Sequence, residues 1–172
     1  MGEKEKYLAY PFIYDDPLDY RCDFEIFTDE ISSTIGLLRA KVSDENLREE
    51  LSQINEIMYH INASLRTFTS VTLDELKWVE SKIEEYRVET KDRCNKFVTP
   101  QGGEAACTAH IIRSKCKALA RLMHRHEMQG NNVDPLLYNF VNLYSGYFFL
   151  LALKLNKMED INETEFVSRN YK

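Results

Sequence analysis

A helical period recurs in nearly every stretch from about residue 20 to residue 158, and it restricts the fold of this chain more than any other feature. Phe24, Phe27, Ile31, Ile35, Leu38 and Val42 step by three or four, which puts their side chains on one helix face. Leu47, Leu51, Ile54, Met58, Ile61, Leu65 and Phe68 form a second seam, and Leu73, Leu76, Val79, Ile83 and Tyr86 a third. Ala106, Ala109, Ile112, Cys116, Leu119 and Met123 make a fourth, and Leu137, Val141, Tyr144, Phe148, Leu151 and Leu155 a fifth. Start signals agree. Ser43 before Asp44 and Glu45 reads as an N-cap with first-turn acids that suit the helix dipole. Thr72 and Glu75 have capping-box spacing, and Asp134-Pro135 is an N-cap followed by proline at the first helical position. Phe97-Val98-Thr99 is too short to count as a strand. Six glycines and four prolines are too few for a turn-rich β domain. The connections at 43–44, 69–72 and 128–134 are short, so consecutive helices are expected to pack antiparallel. The predicted architecture is all-α: an up-and-down five-helix bundle forming a single domain over 1–172, with an irregular arm at 1–20 and a polar tail at 159–172.

Composition narrows the function. A net charge of −6 argues against a general nucleic-acid or anionic-membrane surface. Apolar runs fall short of the about 20 residues a membrane span needs, and the charged start MGEKEKY has no apolar signal region behind it. The expected location is the cytoplasm. Cys22, Cys94, Cys107 and Cys116 show no CxxC pair and no Cys/His ligand spacing, so no metal site is predicted. Cys107 and Cys116 fall among apolar helix positions, where cysteine acts as a small hydrophobe.

The stretch FVTPQGGEAA, residues 97–106, offers two readings. Its glycines could cradle a phosphate at a helix N-terminus, or they could be the turn between two helices. Glu104 in the first turn repels phosphate and favours the second. Arg113 lies so close to a buried stripe that it needs a carboxylate partner. His110 reads as a satisfied interhelical histidine. His124, Arg125 and His126 place positive charge at a helix C-terminus. Asn142 on an apolar helix needs a hydrogen-bond partner if buried. Tyr138, Phe140, Tyr144, Tyr147, Phe148 and Phe149 are too broad a set for one core stripe, and a subunit interface would explain them.

Three stretches carry a resemblance: DYRCDFEIFTDEISSTIGLL (19–38), NKFVTPQGGEAACTAHIIRSKCKALAR (95–121) and VDPLLYNFVNLYSGYFFLLAL (133–153). Together they resemble the PduO-type ATP:cob(I)alamin adenosyltransferases, in register from about residue 19 to 155 and with the family spacing from Pro100 to His110. The resemblance implies a five-helix bundle assembled as a homotrimer with sites between subunits. It also implies transfer of the 5′-deoxyadenosyl group of ATP to the cobalt of cob(I)alamin, with release of triphosphate, and Mg²⁺ as a companion of ATP. Asp29 matches the acid of the D-E-L segment and Arg113 the first arginine of the fourth-helix run, a pair the family uses as a salt bridge near both ligands. Phe97 matches the aromatic that fills the lower face of the corrin. Asn142 matches a nucleotide-contacting asparagine. Arg21, Lys117 and Arg121 match further basic positions of the ligand-binding motifs.

Departures point to a second possibility. The family's N-terminal T-x-T-G-D-x-G-x-T motif, which wraps the phosphates, is absent: the arm reads MGEKEKYLAYPFIYDD. Ala118 and Ala120 stand where the family has an arginine and a glutamate, Gly146 where it has an aspartate, and Glu25-Ile26 where it has Tyr-Gly. A member that binds a corrinoid or nucleotide without catalysis, or a purely structural trimeric bundle, is the alternative.

Overall fold

The computed structural model describes residues 12–93 and 95–170. Five helices follow in order: α1 (Tyr20–Lys41), α2 (Glu45–Asn62), α3 (Leu73–Glu89), α4 (Glu104–Met128) and α5 (Pro135–Met158). The all-α expectation holds for the described residues, where the only β pairing is an isolated antiparallel bridge between Val98 and Glu165. Most of the predicted N-terminal arm, residues 1–11, lies outside the described residues.

Local chemistry accounts for the helix starts. The Asp134 side chain accepts from the Leu136 N–H at 2.9 Å, with Pro135 in the first turn. At α3, Glu75 accepts from the Thr72 N–H at 2.7 Å while the Glu75 N–H donates to Thr72 Oγ1 at 3.3 Å, a complete capping box. The cap of α2 is Asp44 rather than Ser43: its carboxylate accepts from the Leu47 N–H at 2.8 Å.

Two expectations need correction. The second seam stops early, because α2 ends at Asn62 and Phe68 is 73% exposed. Tertiary hydrogen bonds win over helix continuation there. Asn62 Nδ2 donates to the Glu25 carbonyl at 2.6 Å and to Thr28 Oγ1 at 2.7 Å, and Arg66 is drawn to Glu25 on α1. The connection to α3 is consequently longer than predicted. It lets α3 pack on α5, while the other main pairings are α4 with α5, α1 with α4, and α1 with α2. Consecutive packing thus holds for α1 with α2 and for α4 with α5. Helices α2 and α3 are joined instead through Glu50, which accepts from the Tyr86 hydroxyl at 2.5 Å and pairs with Lys82 at 3.2 Å.

The second correction concerns the aromatics of α5. Phe140, Tyr144, Tyr147 and Phe148 are fully buried within one chain. Tyr147 packs on Tyr86 and Phe148, and the Tyr144 hydroxyl donates to the Ile54 carbonyl at 2.9 Å. A helix packed on several sides is apolar around most of its circumference, so no subunit interface is needed for these rings. The same property makes α5 the one described helix long and apolar enough to cross a membrane, although it forms the interior of the bundle.

Candidate functional site

A cavity of about 730 Å³ opens between α3, α4, α5 and the loop that precedes α4. It collects four of the seven predicted site residues. Phe97 stands on the loop, Arg113 and Lys117 come from α4, and Asn142 comes from α5. Arg113 and Lys117 are one helical turn apart, as are Asn142 and Gly146, so each pair faces the same way by period alone. Phe149 and Ser145 complete the α5 wall, and Arg87 and Lys96 lie at the rim. The Phe97 ring is 85% exposed, an unusual state for a phenylalanine.

The electrostatics of this cavity are one-sided. Arg87 pairs with Glu84, and Lys96 with Glu165 at 2.7 Å. Arg113 and Lys117 have no carboxylate partner among the described residues. Arg113 Nε is buried without a hydrogen-bond acceptor, and the guanidinium lies 5.8 Å from the Phe149 ring centre. A chain of net charge −6 thus leaves unneutralised cations at a concave surface. Such a surface suits an anion with several acceptor oxygens, and an apolar ring system that can lie against Phe97 and Phe149.

The other three predicted residues lie elsewhere. Arg121 continues the stripe of Arg113 and Lys117 by one turn but is exposed beyond the cavity. Arg21 sits at a second cavity of about 660 Å³ near His126, where it grips Asp19 through paired hydrogen bonds. The Arg21 guanidinium holds the Asp19 carboxyl down at about 2. Asp29 is exposed on α1 and accepts from the Tyr59 hydroxyl at 3.2 Å. The negative charge of Asp29, then that hydrogen bond, push the Tyr59 hydroxyl above its ordinary value. The expected pairing of Asp29 with Arg113 does not form within one chain. Asp29 is engaged on the α2 side of α1, whereas Arg113 points between α3 and α5.

The histidines also differ from expectation. His110 is 4% exposed, and its Nδ1 has no partner. Burial first, and the neighbouring Arg113 charge second, lower its pKa from 6.5 to about 4, which keeps it neutral. His126 is buried as well, and burial lowers its pKa. Cys116 fits its sequence reading: it is fully buried, and burial pushes its thiol up to about 12.

The glycines of FVTPQGGEAA are accounted for by packing. A Cβ at Gly102 (φ +140°) would meet Asn156 Oδ1 at 2.0 Å, and one at Gly103 would meet Glu159 Oε2 at 1.9 Å. Asn156 Oδ1 accepts from the Gly103 N–H at 3.0 Å. The start of α4 is therefore closed by the end of α5, and Glu104 pairs with Lys41 at 2.7 Å. Among the departures, Gly146 lines the main cavity. Ala118 faces a separate one of about 530 Å³ with Phe27 and His110. Glu25 is buried against Arg66. Sequence reasoning missed Phe149, although its position seven residues after Asn142 places it on the same helix face. It also missed the return of the tail to the Phe97 loop, which no periodic signal encodes.

Comparisons with known proteins bear on the family and the fold. The family model for cobalamin adenosyltransferase matches residues 21–155. The corrinoid adenosyltransferase of Bacillus subtilis (strain 168) is 26% identical over 147 residues, which are 80% of this chain and 75% of that protein. The cobalamin adenosyltransferase of Cupriavidus metallidurans is 27% identical over 133 residues, 75% of this chain and 71% of that one. Two solved structures are similar in fold, both of variant PduO-type ATP:corrinoid adenosyltransferases from Lactobacillus reuteri. The one complexed with cobalamin and ATP has a TM-score of 0.78 at 22% identity, covering 90% of this chain and 86% of that chain. The one complexed with ATP has a TM-score of 0.76 at 23% identity, covering 87% and 88%. With the family model spanning most of the bundle, including α3, α4 and most of α5 around the cavity, the chain belongs to the cobalamin adenosyltransferase family.

Proposed function

We propose that this protein is an ATP:cob(I)alamin adenosyltransferase, moving the 5′-deoxyadenosyl group of ATP onto cobalt with release of triphosphate. The reacting cobalt is the nucleophile and belongs to the substrate. It forms a bond to the 5′ carbon as the carbon–oxygen bond breaks, and the electron pair leaves with the triphosphate. The protein's share is positioning and stabilisation of developing negative charge. The observation that carries this reading is the cavity itself, with Arg113 and Lys117 unpaired beneath an exposed Phe97. In this reading Phe97 covers the lower face of the corrin, Asn142 contacts the nucleotide, and Arg113 and Lys117 face the phosphates, with Arg121 and Arg21 further along.

A corrinoid is larger than the drug-sized molecules that cavities of this volume bury, so one chain supplies one wall. We assign the remainder to a neighbouring copy in a homotrimer, with Asp29 of one subunit completing Arg113 of the next. Their placement on different sides of one bundle supports this. A monomeric mass in light scattering contradicts it. Among the described residues no cluster of three or more His, Cys, Asp or Glu side chains is placed to hold a metal ion. Three described cysteines are free thiols, which fits a cytoplasmic location.

The decisive experiment mixes the protein with ATP, cob(II)alamin and a strong reductant and follows the absorbance of adenosylcobalamin. No product after long incubation overturns the proposal. One observation favours a second reading: Gly146 leaves the cavity wall bare where the family resemblance places an aspartate. A non-catalytic corrinoid-binding member would bind cobalamin but not ATP in titration calorimetry.

A further inference from the structure

Phe97 poses a positioning problem. Its ring is 85% exposed, and it sits on the irregular connection between α3 and α4. Neither side-chain packing nor a helix fixes it, and loop backbone of this kind carries large conformational entropy. Its main-chain order comes from the C-terminal segment instead. The Phe166 N–H donates to the Phe97 carbonyl at 2.7 Å, the Thr99 N–H donates to the Thr164 carbonyl at 3.0 Å, and Val98 pairs with Glu165 between them.

The segment is itself anchored. Arg93 donates to the Ile161 carbonyl at 2.6 Å and to Glu163 at 2.9 Å, and the two charged side chains are only 12% and 10% exposed. Asn156 at the end of α5 is fully buried. It donates to the Gln101 carbonyl at 3.2 Å and reaches Glu163 Oε1 at 3.4 Å. One carboxylate thereby ties the tail to both ends of the Phe97 loop.

We propose that residues 161–166 form a strap that positions Phe97, and that Arg93 and Glu163 are positioning residues for the transfer reaction. The inference rests on the reading of Phe97 as the ring beneath the corrin. A ring that keeps a lower ligand away must stand at one place, and a misplacement of about 1 Å can lower a rate about a hundredfold. Removing Glu163 leaves the Arg93 charge buried and uncompensated, so the strap detaches to rehydrate it. The bundle seams are not involved.

The test uses the full chain and three variants, Glu163→Ala, Glu163→Gln and Phe97→Ala, together with the Phe97→Ala/Glu163→Ala double. Three quantities are measured: affinity for cob(II)alamin in the presence of ATP, the absorbance change that marks loss of its lower ligand, and affinity for ATP alone. Amide exchange at Thr99 reports the strap directly. Glu163→Ala is expected to weaken corrinoid binding about tenfold and to erase most of the spectral change, because the ring is no longer placed. ATP affinity should stay within about twofold, and the double variant should be no worse than Phe97→Ala, since residues acting through one group are not additive. Glu163→Gln, which keeps an acceptor for Arg93 but not the negative charge, should give a loss between those of wild type and Glu163→Ala. Faster Thr99 exchange in Glu163→Ala with unchanged corrinoid affinity and spectrum overturns the strap role alone. So does a parallel loss of ATP and corrinoid affinity with the melting temperature. A wild-type chain that binds corrinoid without the spectral change, or a Phe97→Ala variant that matches wild type, overturns the reading of Phe97 as well.

Discussion

Arg66 and Arg113 are both arginines drawn in against the bundle, and the chain treats them in opposite ways. Arg66 donates to Glu25 through Nε at 2.7 Å and Nη2 at 3.0 Å, to Asp15 through Nη1 at 3.0 Å, and stacks over Phe12 at 3.6 Å. Arg113 has a buried Nε with no acceptor and no carboxylate among the described residues. A cation satisfied by its own chain is a fastener between α1 and the connection after α2. A cation left unsatisfied at a cavity is what the proposed binding of an anionic ligand calls for.

The largest effect should come from breaking the fastener. Arg66→Ala takes from Glu25, whose side chain is only 6% exposed, both hydrogen bonds of the guanidinium and its positive charge. Loss of one partner of such a pair destabilises by about 3–5 kcal/mol. Urea denaturation of the variant should show this, and a loss below about 1 kcal/mol would put the pair in the class of surface ion pairs.

Arg113→Ala should do the reverse. It removes an orphaned donor, so stability should hold or rise slightly. The proposed transfer, however, loses a charge aimed at the leaving triphosphate, and kcat/KM should fall about 10²-fold to 10³-fold. A variant that unfolds more easily while its kinetics are unchanged would make Arg113 another fastener and erase the contrast.

His110 sharpens the comparison from beside Arg113. Burial, then the Arg113 charge, lower its pKa from 6.5 to about 4. Below about 6.5 the unfolded chain takes up a proton that the folded chain refuses until about 4, so stability rises with pH across that window. The contribution is present in full above 6.5 and lost as pH falls through about 4. His110→Gln should flatten the urea midpoint between pH 4.5 and 7. Asp19, held at about 2 by Arg21, acts only in a lower window, between about 3.8 and 2.

The fold was largely legible in the sequence because burial writes a period. The seams through Ile31, Ile54, Val79, Ile112 and Val141 all face the interior, and each of these residues is fully buried or nearly so. Two caps, Thr72 and Asp134, stood where local chemistry placed them. What failed depended on partners distant in sequence. The end of α2 is set by Glu25 and Thr28 on α1, and the packing of α3 follows from it. For the site, the family resemblance named Arg113, Lys117, Phe97 and Asn142 from three segments, and these four line one cavity. Asp29 could not be placed, because a single chain leaves it on another side of the bundle. The strap was invisible: Glu163 and Arg93 are two charges in polar stretches until folding buries them together.

The smallest effect tests whether the cavity wall is bare by design. Gly146 lies in the interior of α5, where glycine weakens a helix by about 0.5–1 kcal/mol relative to alanine. A Cβ there would meet nothing within 4 Å, unlike one at Gly102, which would collide with Asn156. Gly146→Ala should therefore raise stability by about 0.5–1 kcal/mol in urea denaturation. Yet the new methyl group enters the same cavity that holds Arg113 and Asn142. If ligand approaches that wall closely, cobalamin or ATP affinity falls while stability rises. Such opposite signs in one variant would mean that backbone freedom at Gly146, like the unpaired Arg113, is kept at the expense of stability for an incoming molecule. A gain in stability with both affinities unchanged would confine the ligand to the Phe97 side of the cavity and leave Gly146 a bystander.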